Sequence, residues 1–349
     1  MKKSLWIVFM LATSYLSAQD AETVKDTVSE SKLEQLTKNF TLGGSVDAYF
    51  RQNLNGPNGE DAIAPRTAFA NQNGFALGMV NVILSYDGAK VGAVADLVYG
   101  PRGEEAVFNS EPSNNIVNQL YVYWNVTDKL KLTFGNFNTF LGYEVISPVV
   151  NFNYSTSYMF TYGPFSHTGL KANYAFSDKF SGMVSIMNDN DLTDYNPTND
   201  YTFGAQLGYD GTYLNFLFGP QFQIDLTTGF DLSDSFFLGL NSTYYDDDSG
   251  SFYGVALYPQ WQASDDFALG LRAEYFAEQD GGVGAIGGYD SSGDGTAFEF
   301  TLTGSYQIGD LYIKPELRLD STSEETFYDN DMDPTDSLTS FLIAAIYKF

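Results

Sequence analysis

From residue 40 to the end, apolar and polar side chains take turns with a period of two, segment after segment. Phe40, Leu42, Val46, Ala48 and Phe50 alternate with Thr41, Ser45, Asp47, Tyr49 and Arg51. Val91, Ala93, Ala95, Leu97 and Tyr99 alternate with Gly92, Val94, Asp96 and Val98. The same holds for Leu170, Ala172, Tyr174 and Phe176 against Lys171 and Asn173, and for Leu311, Ile313, Leu317 and Leu319 against Tyr312, Lys314, Glu316 and Arg318. A period of two is that of a β-strand whose two faces meet different surroundings. The pattern predicts strands over 40–51, 75–86, 91–100, 116–126, 130–138, 167–176, 180–188, 201–209, 212–219, 222–232, 236–245, 252–262, 267–276, 296–307, 311–320 and 338–349. Most are near the ten residues that a tilted bilayer-crossing strand needs.

The connections alternate too. Short turns such as Asp87-Gly88-Ala89-Lys90, Ser177-Asp178-Lys179 and Gly309-Asp310 are interleaved with longer polar links at 52–74, 101–115, 139–166, 189–200, 246–251, 277–295 and 321–337; the link at Gly219-Pro220 is short. Short turns at one rim and long loops at the other describe a transmembrane antiparallel β-barrel of about sixteen strands, all-β, with periplasmic turns and extracellular loops. Closure has a physical reason. In hydrocarbon every backbone N–H and C=O must pair within the protein, and an open sheet edge would leave a row unpaired. A soluble β-sandwich also alternates, but it does not call for so many aromatics at segment ends. Asp47, Arg51, Asp96, Lys131, Lys171, Arg272, Glu274, Glu299, Lys314, Glu316 and Arg318 all fall on the less apolar phase, which a barrel turns toward its lumen; they are the candidate pore-lining residues.

Both chain ends carry addresses. Lys2 and Lys3 precede an apolar stretch from Leu5 to Leu16, and Ser17-Ala18-Gln19 follows. This predicts a signal peptide over 1–18 cleaved after Ala18, a periplasmic lead-in over 19–39 that either trails or plugs, and a barrel over 40–349. At the other end Phe341, Ile343, Ala345, Tyr347 and Phe349 form one apolar phase ending in an aromatic carboxy-terminus. Phe349, Tyr347, Ile343 and Phe341 are the expected assembly signal for the barrel-assembly machinery of the cell outer membrane, and they double as girdle residues.

Composition narrows the chemistry. Aromatics make up 16% of the 349 residues, and charged residues 17%. The absence of cysteine removes disulfides, thiolate metal sites and cysteine nucleophiles, and a single histidine, His167, removes multi-histidine metal centres. A net charge of -27 excludes nucleic acid as a partner, because phosphate binding needs clustered bases. Ser166 and His167 are adjacent on a strand and so face opposite ways, and no G-x-S-x-G elbow occurs; no catalytic site and no cofactor are expected. A barrel enzyme acting on lipids would depend on His167. Acidic runs at 189–194, 246–248 and 329–336 offer hard oxygen ligands but lack EF-hand spacing. They read as solvated loops, or as weak divalent-ion sites beside lipopolysaccharide. The Gly-rich run 281–288 lacks a strand–helix setting, so it reads as a flexible loop rather than a phosphate cradle.

Residues 132–174 read LTFGNFNTFLGYEVISPVVNFNYSTSYMFTYGPFSHTGLKANY. Gly135, Phe137, Gly142-Tyr143-Glu144, Asn153-Tyr154-Ser155 and Pro164-Phe165-Ser166-His167-Thr168-Gly169 resemble the OmpL-like β-barrel porin family of Gram-negative outer membranes. The resemblance implies a pore-forming barrel among outer-membrane lipids and lipopolysaccharide, passing small polar solutes or ions by passive diffusion, and compatible with a homo-trimer. The acidic excess predicts cation preference. Loop 139–166, uncharged apart from Glu144, is expected to fold inward as the constriction, with Glu144 facing Lys131, Lys171, Arg272 or Arg318. The competing expectations are a loop packed over the outer rim, and a structural or adhesive barrel that does not conduct.

Overall fold

A computed structural model describes residues 38–111 and 115–349. The signal segment, its cleavage at Ala18 and the lead-in up to residue 37 lie outside the described residues. The chain divides into the units Met1–Lys38 and Asn39–Phe349, of which the second holds every strand named below.

The strands are β1 (Phe40–Asn53), β2 (Gly74–Asp87), β3 (Val91–Tyr99), β4 (Val117–Asn125), β5 (Leu130–Asn138), β6 (Ser166–Ala175), β7 (Phe180–Asn188), β8 (Tyr201–Tyr209), β9 (Thr212–Phe218), β10 (Phe222–Ser233), β11 (Phe236–Asp247), β12 (Gly250–Gln262), β13 (Phe267–Gln279), β14 (Gly295–Ile308), β15 (Leu311–Thr322), the two-residue pieces β16 (Phe327–Tyr328) and β17 (Pro334–Thr335), and β18 (Ser337–Lys348). β1 through β15 and β18 form a closed antiparallel barrel of sixteen strands, each paired with its sequence neighbour, while β16 and β17 make a small separate hairpin. All sixteen segments expected from the alternation are present.

Closure falls where the first and last barrel strands meet. β1 pairs with β18 from Ser45↔Lys348 to Asn53↔Ser340. The terminal residue takes part: Gly44 N–H donates to the Phe349 carbonyl at 2.9 Å, and Phe349 N–H returns a bond to the Gly44 carbonyl at 3.0 Å. A Cβ on Gly44 would lie 2.1 Å from the Asn81 carbonyl oxygen, so the strands can approach here because the residue is glycine.

The two faces sort as the pattern requires. Phe75, Leu77, Val122, Phe134, Phe203, Leu302 and Tyr347 are exposed on the outside, while Asp47, Arg51, Asp96, Arg272, Glu299 and Arg318 are buried inside. One phase change escapes a simple count. The β1–β2 register slips between Val46 and Ala48, so Phe75 and Leu77 share the outer face with Val80. Met79 N–H donates to the Asp47 carboxylate at 3.1 Å within this bulge. A Cβ on Gly78 would sit 1.6 Å from an Asp47 oxygen, which explains glycine there.

Short turns at 88–90, 126–129, 176–179, 210–211, 234–235, 263–266 and 309–310 occupy one rim. Opposite them lie the links 54–73, 100–116, 139–165, 189–200, 219–221, 248–249, 280–294 and 323–336. The expected long link at 246–251 is corrected: β11 and β12 run on to leave only Asp248 and Ser249. The Asp247 carboxylate ties this tight turn by accepting from Ser249 N–H (2.7 Å), Ser249 Oγ (2.6 Å) and Gly250 N–H (3.1 Å). The Gly-rich run also departs from a free loop. Val283, Ala285 and Ile286 donate their N–H groups to the Glu278 carboxylate at 2.6–3.0 Å, and Ala285 and Ile286 are buried.

Loop side chains, not strands alone, fill the barrel. Tyr158 and Met159 pack with Phe252 and Phe276, Phe160 and Phe165 with Phe69, Met79 and Val98, and Tyr154 with Tyr49 and Leu342. No helix among the described residues is long and apolar enough to cross a membrane.

Candidate functional site

Loop 139–165 joins β5 to β6 and dips into the lumen. A chain segment inside a barrel has no ladder to satisfy its backbone, so side chains must receive every buried N–H and C=O. The wall formed by β13, β14, β15 and β1 does this with charge. Its carboxylates take loop N–H groups. Glu316 accepts from Tyr154 N–H and, at 3.1 Å, from Ser155 N–H. Glu274 accepts from Tyr158 and Met159, both at 2.8 Å. Its cations take loop carbonyls. Arg272 donates to the Ser155 carbonyl at 2.6 Å, Arg318 to that of Thr156 at 2.8 Å, and Lys314 to those of Pro148 (3.0 Å) and Asn151 (2.6 Å). From the neighbouring short helix Pro101–Ala106, Arg102 reaches the carbonyls of Ile146 (2.9 Å) and Tyr154 (3.1 Å).

The loop answers with its own groups. Glu144 pairs with Arg272 at 2.7 Å, and its other oxygen accepts from Ser157 N–H at 2.9 Å. Tyr154 donates its hydroxyl to Asp47 at 2.5 Å, Tyr158 to Asp320 at 3.1 Å, and the Asn153 amide to Thr303 Oγ1 at 2.7 Å. Ser157 caps the short helix Tyr158–Tyr162 by accepting from Phe160 N–H at 3.0 Å. Glu274 sits over the same first turn, where helical N–H groups have no internal partner. Behind the loop, Arg272 pairs with Glu299 at 2.8 Å and Arg318 with Asp320 at 2.7 Å. Burial drives the phenols of Tyr154 and Tyr158 well above the usual tyrosine range. Tyr143 is pushed up to about 12, mainly by burial, with the Gln260 amide at its hydroxyl pulling the other way.

Of the residues singled out from sequence, Glu144, Arg272, Glu274, Glu299, Lys314, Glu316 and Arg318 meet in this one cluster, and Asp47 joins it through Tyr154. They are buried under the loop, with Glu144, Lys314 and Arg318 at 3–5% exposure, rather than open to a water-filled lumen. Arg51 holds the first loop instead, donating to the Ile63 carbonyl at 3.2 Å. Asp96 belongs to a separate buried group, accepting from the amides of Asn81 (2.5 Å), Asn118 (2.8 Å) and Gln119 (2.9 Å). Glu144 faces Arg272 but neither Lys131 nor Lys171. Those two lie over the rings of Tyr123 (3.8 Å) and Phe137 (3.9 Å). His167 is fully buried, with Nε2 at 3.0 Å from Thr139 Oγ1 and no partner on Nδ1. Among the described residues no group of three acidic or histidine side chains is arranged to hold a metal ion. Asp290 and Asp329 instead accept N–H groups within their own turns.

On the far side of the loop the wall is different. Thr139, Leu141, Gly142, Tyr143, Phe160, Gly163 and Pro164 face Gln223, Asp225, Asn241 and Thr243 of β10 and β11 across a narrow gap. The alternation does not single out Asp225. The one sequence signal for it is negative: between Lys179 and Arg272 there is no Lys, Arg or His.

A closed sixteen-strand barrel with an apolar outer band, first and last strands joined in one ladder and a long loop folded into the lumen defines a porin-class outer-membrane β-barrel. This chain belongs to the family described as putative beta-barrel porin-2, OmpL-like, whose sequence profile matches residues 39–349. It is similar in fold to the outer membrane channel DcaP of Acinetobacter baumannii (13% identity, 89% of this chain and 97% of that one, TM-score 0.56). It is likewise similar to a loop-deletion mutant of OmpT, an outer membrane protein of Vibrio cholerae (12%, 89% and 99%, TM-score 0.56), and to in-vitro folded OmpT in its trimer form (10%, 89% and 99%, TM-score 0.54). No curated protein sequence matches the chain.

Proposed function

We propose that this barrel is a passive diffusion channel for small polar solutes or ions, preferring cations, with loop 139–166 as its constriction. The observation that carries the reading is the loop inside the lumen: buried charges hold it against β13–β15 and leave a gap along β10–β11. A rigidly held loop sets a fixed aperture, and passage is then decided by size and by the charges that line what remains. The acidic excess supports cation preference, because the basic lumen groups of β13 and β15 are engaged by the loop and by neighbouring carboxylates. The resemblance to trimeric OmpT supports assembly as a homo-trimer in the outer membrane.

A non-conducting structural barrel is the second reading, favoured by how small the gap between the loop and β10–β11 is, about 20 Å³. Planar-bilayer recording of the purified, refolded protein separates the two. Stepwise current supports the channel; a silent membrane at high protein load supports the closed barrel.

A further inference from the structure

The lumen of this barrel is electrically lopsided. Its arginines and Lys314 crowd the side where the loop is pinned, whereas β7 through β12 carry no basic residue at all. Midway along that neutral wall stands Asp225, 1% exposed. Its carboxylate accepts from Gly142 N–H (3.0 Å), the amides of Asn215 (2.9 Å) and Asn241 (2.5 Å) and the Thr227 hydroxyl (3.0 Å). Every one of these donors is neutral, so the negative charge is oriented but not cancelled. Across the lumen, by contrast, Glu299 and Asp320 each have an arginine partner.

Beside it, Gln223 is 2% exposed and donates its amide N–H to Thr243 Oγ1 at 3.1 Å, while its Oε1 has no partner. A buried acceptor without a donor is unusual, and Gln223 is one of the residues that line the gap. The opposite side of the gap is Gly142-Tyr143 and Gly163-Pro164, with Tyr143 fixed by stacking on Tyr258 at 4.1 Å between ring centres. The open volume is close to what a single water needs.

We infer that Asp225 and the free carbonyl of Gln223 form the cation-selecting throat of this pore, an inference that rests on the barrel being a channel. The permeant class is a small monovalent cation that exchanges part of its hydration for these oxygens. A single uncompensated carboxylate supplies one charge, the amide carbonyl supplies a neutral oxygen, and the water-sized gap excludes sugars. Anions meet a negative wall with no base to offset it.

The test is the reversal potential of single channels under a tenfold potassium chloride gradient, for wild type, Asp225→Asn and Gln223→Lys, with folding checked by heat-modifiable gel mobility. Asp225→Asn keeps the shape and most of the hydrogen bonding. It should lower the cation-to-anion permeability ratio about fivefold or more, the factor expected when one unit charge about 4 Å from the path is removed in a watery setting. Gln223→Lys puts a cation in the gap and should suppress potassium current or invert the preference. If Asp225→Asn does not fold, Gln223→Lys decides alone. Wild-type channels that conduct while both folded variants keep the original ratio would place the path elsewhere and overturn the throat while leaving the channel intact. A wild type that never conducts would overturn both.

Discussion

Replacing Arg272 by methionine attacks the attachment of the loop at its most heavily used point. The guanidinium is fully buried and reaches Glu144 at 2.7 Å, Glu299 at 2.8 Å and the Ser155 carbonyl at 2.6 Å. Methionine fills much of the volume but strands the Glu144 carboxylate and leaves Glu299 with Arg318, at 3.8 Å, as its one cationic partner among the described residues, beside the Thr301 hydroxyl. Removing one partner of a buried pair costs about 3–5 kcal/mol, mostly because the other charge stays buried and unpaired. Glu144 and Ser155 belong to the loop, so this loss falls on loop attachment rather than on the strand ladders. The remaining anchors at Glu274, Glu316, Arg318 and Lys314 should prevent full release. Single-channel records of Arg272→Met should therefore show larger and noisier openings than wild type, with the barrel still closed by gel mobility but unfolding at lower urea. Combining it with Glu144→Gln removes the stranded charge and should recover part of the loss, a coupling of at least ~1 kcal/mol. Unchanged openings and an unchanged urea midpoint in Arg272→Met, or a double variant that is merely the sum of the singles, would refute the charge-latch reasoning.

Asp191 gives a pH dependence outside the strands. It accepts from Phe165 N–H (2.7 Å) and Ser166 N–H (2.8 Å), and burial pushes its carboxyl up to about 7 against the pull of those bonds. A value raised above that of the unfolded chain means that docking of the 189–200 loop is firmest below about pH 4 and weakens as pH rises through about 7. Hydrogen exchange at the Phe165 and Ser166 amides, corrected for intrinsic rates, should show less protection at high pH in wild type and a flat profile in Asp191→Asn; more protection in wild type at high pH would contradict this. Because the chain has no cysteine, Asn153→Cys with Thr303→Cys gives an unambiguous cross-link. The 2.7 Å contact between the native side chains puts the two thiols within reach of a short bis-thiol-reactive linker, and no cross-link with that reagent in the unfolded-then-refolded protein would remove the loop from the β14 wall.

The strands were legible because lipid and lumen impose opposite demands on successive residues, and nothing local competes with that over ten residues. Where a bulge intervenes, as at Gly78-Met79, the phase slips and the pattern is silent, since the cause is a carboxylate on the preceding strand, Asp47. The acidic run Asp246-Asp247-Asp248 suggests a solvated loop, yet Asp247 folds back on Ser249 and Gly250 and lets both strands continue. Glu144 as the loop's ion was readable from its isolation in an uncharged stretch. That Arg272 rather than Lys131 or Lys171 would meet it was not, because the pairing joins residues 128 positions apart across a closed cylinder. Glu278, cradled by its own Gly-rich loop, and Asp225, distinguished only by the bases missing around it, have no motif at all.

Current through one reconstituted barrel, with and without residues 145–160, bears most directly on whether the inward loop sets the aperture of a channel. Small, stepwise openings in wild type that grow when the segment is removed are the predicted result. A membrane that stays silent with both proteins, although each migrates as a folded barrel, would contradict it.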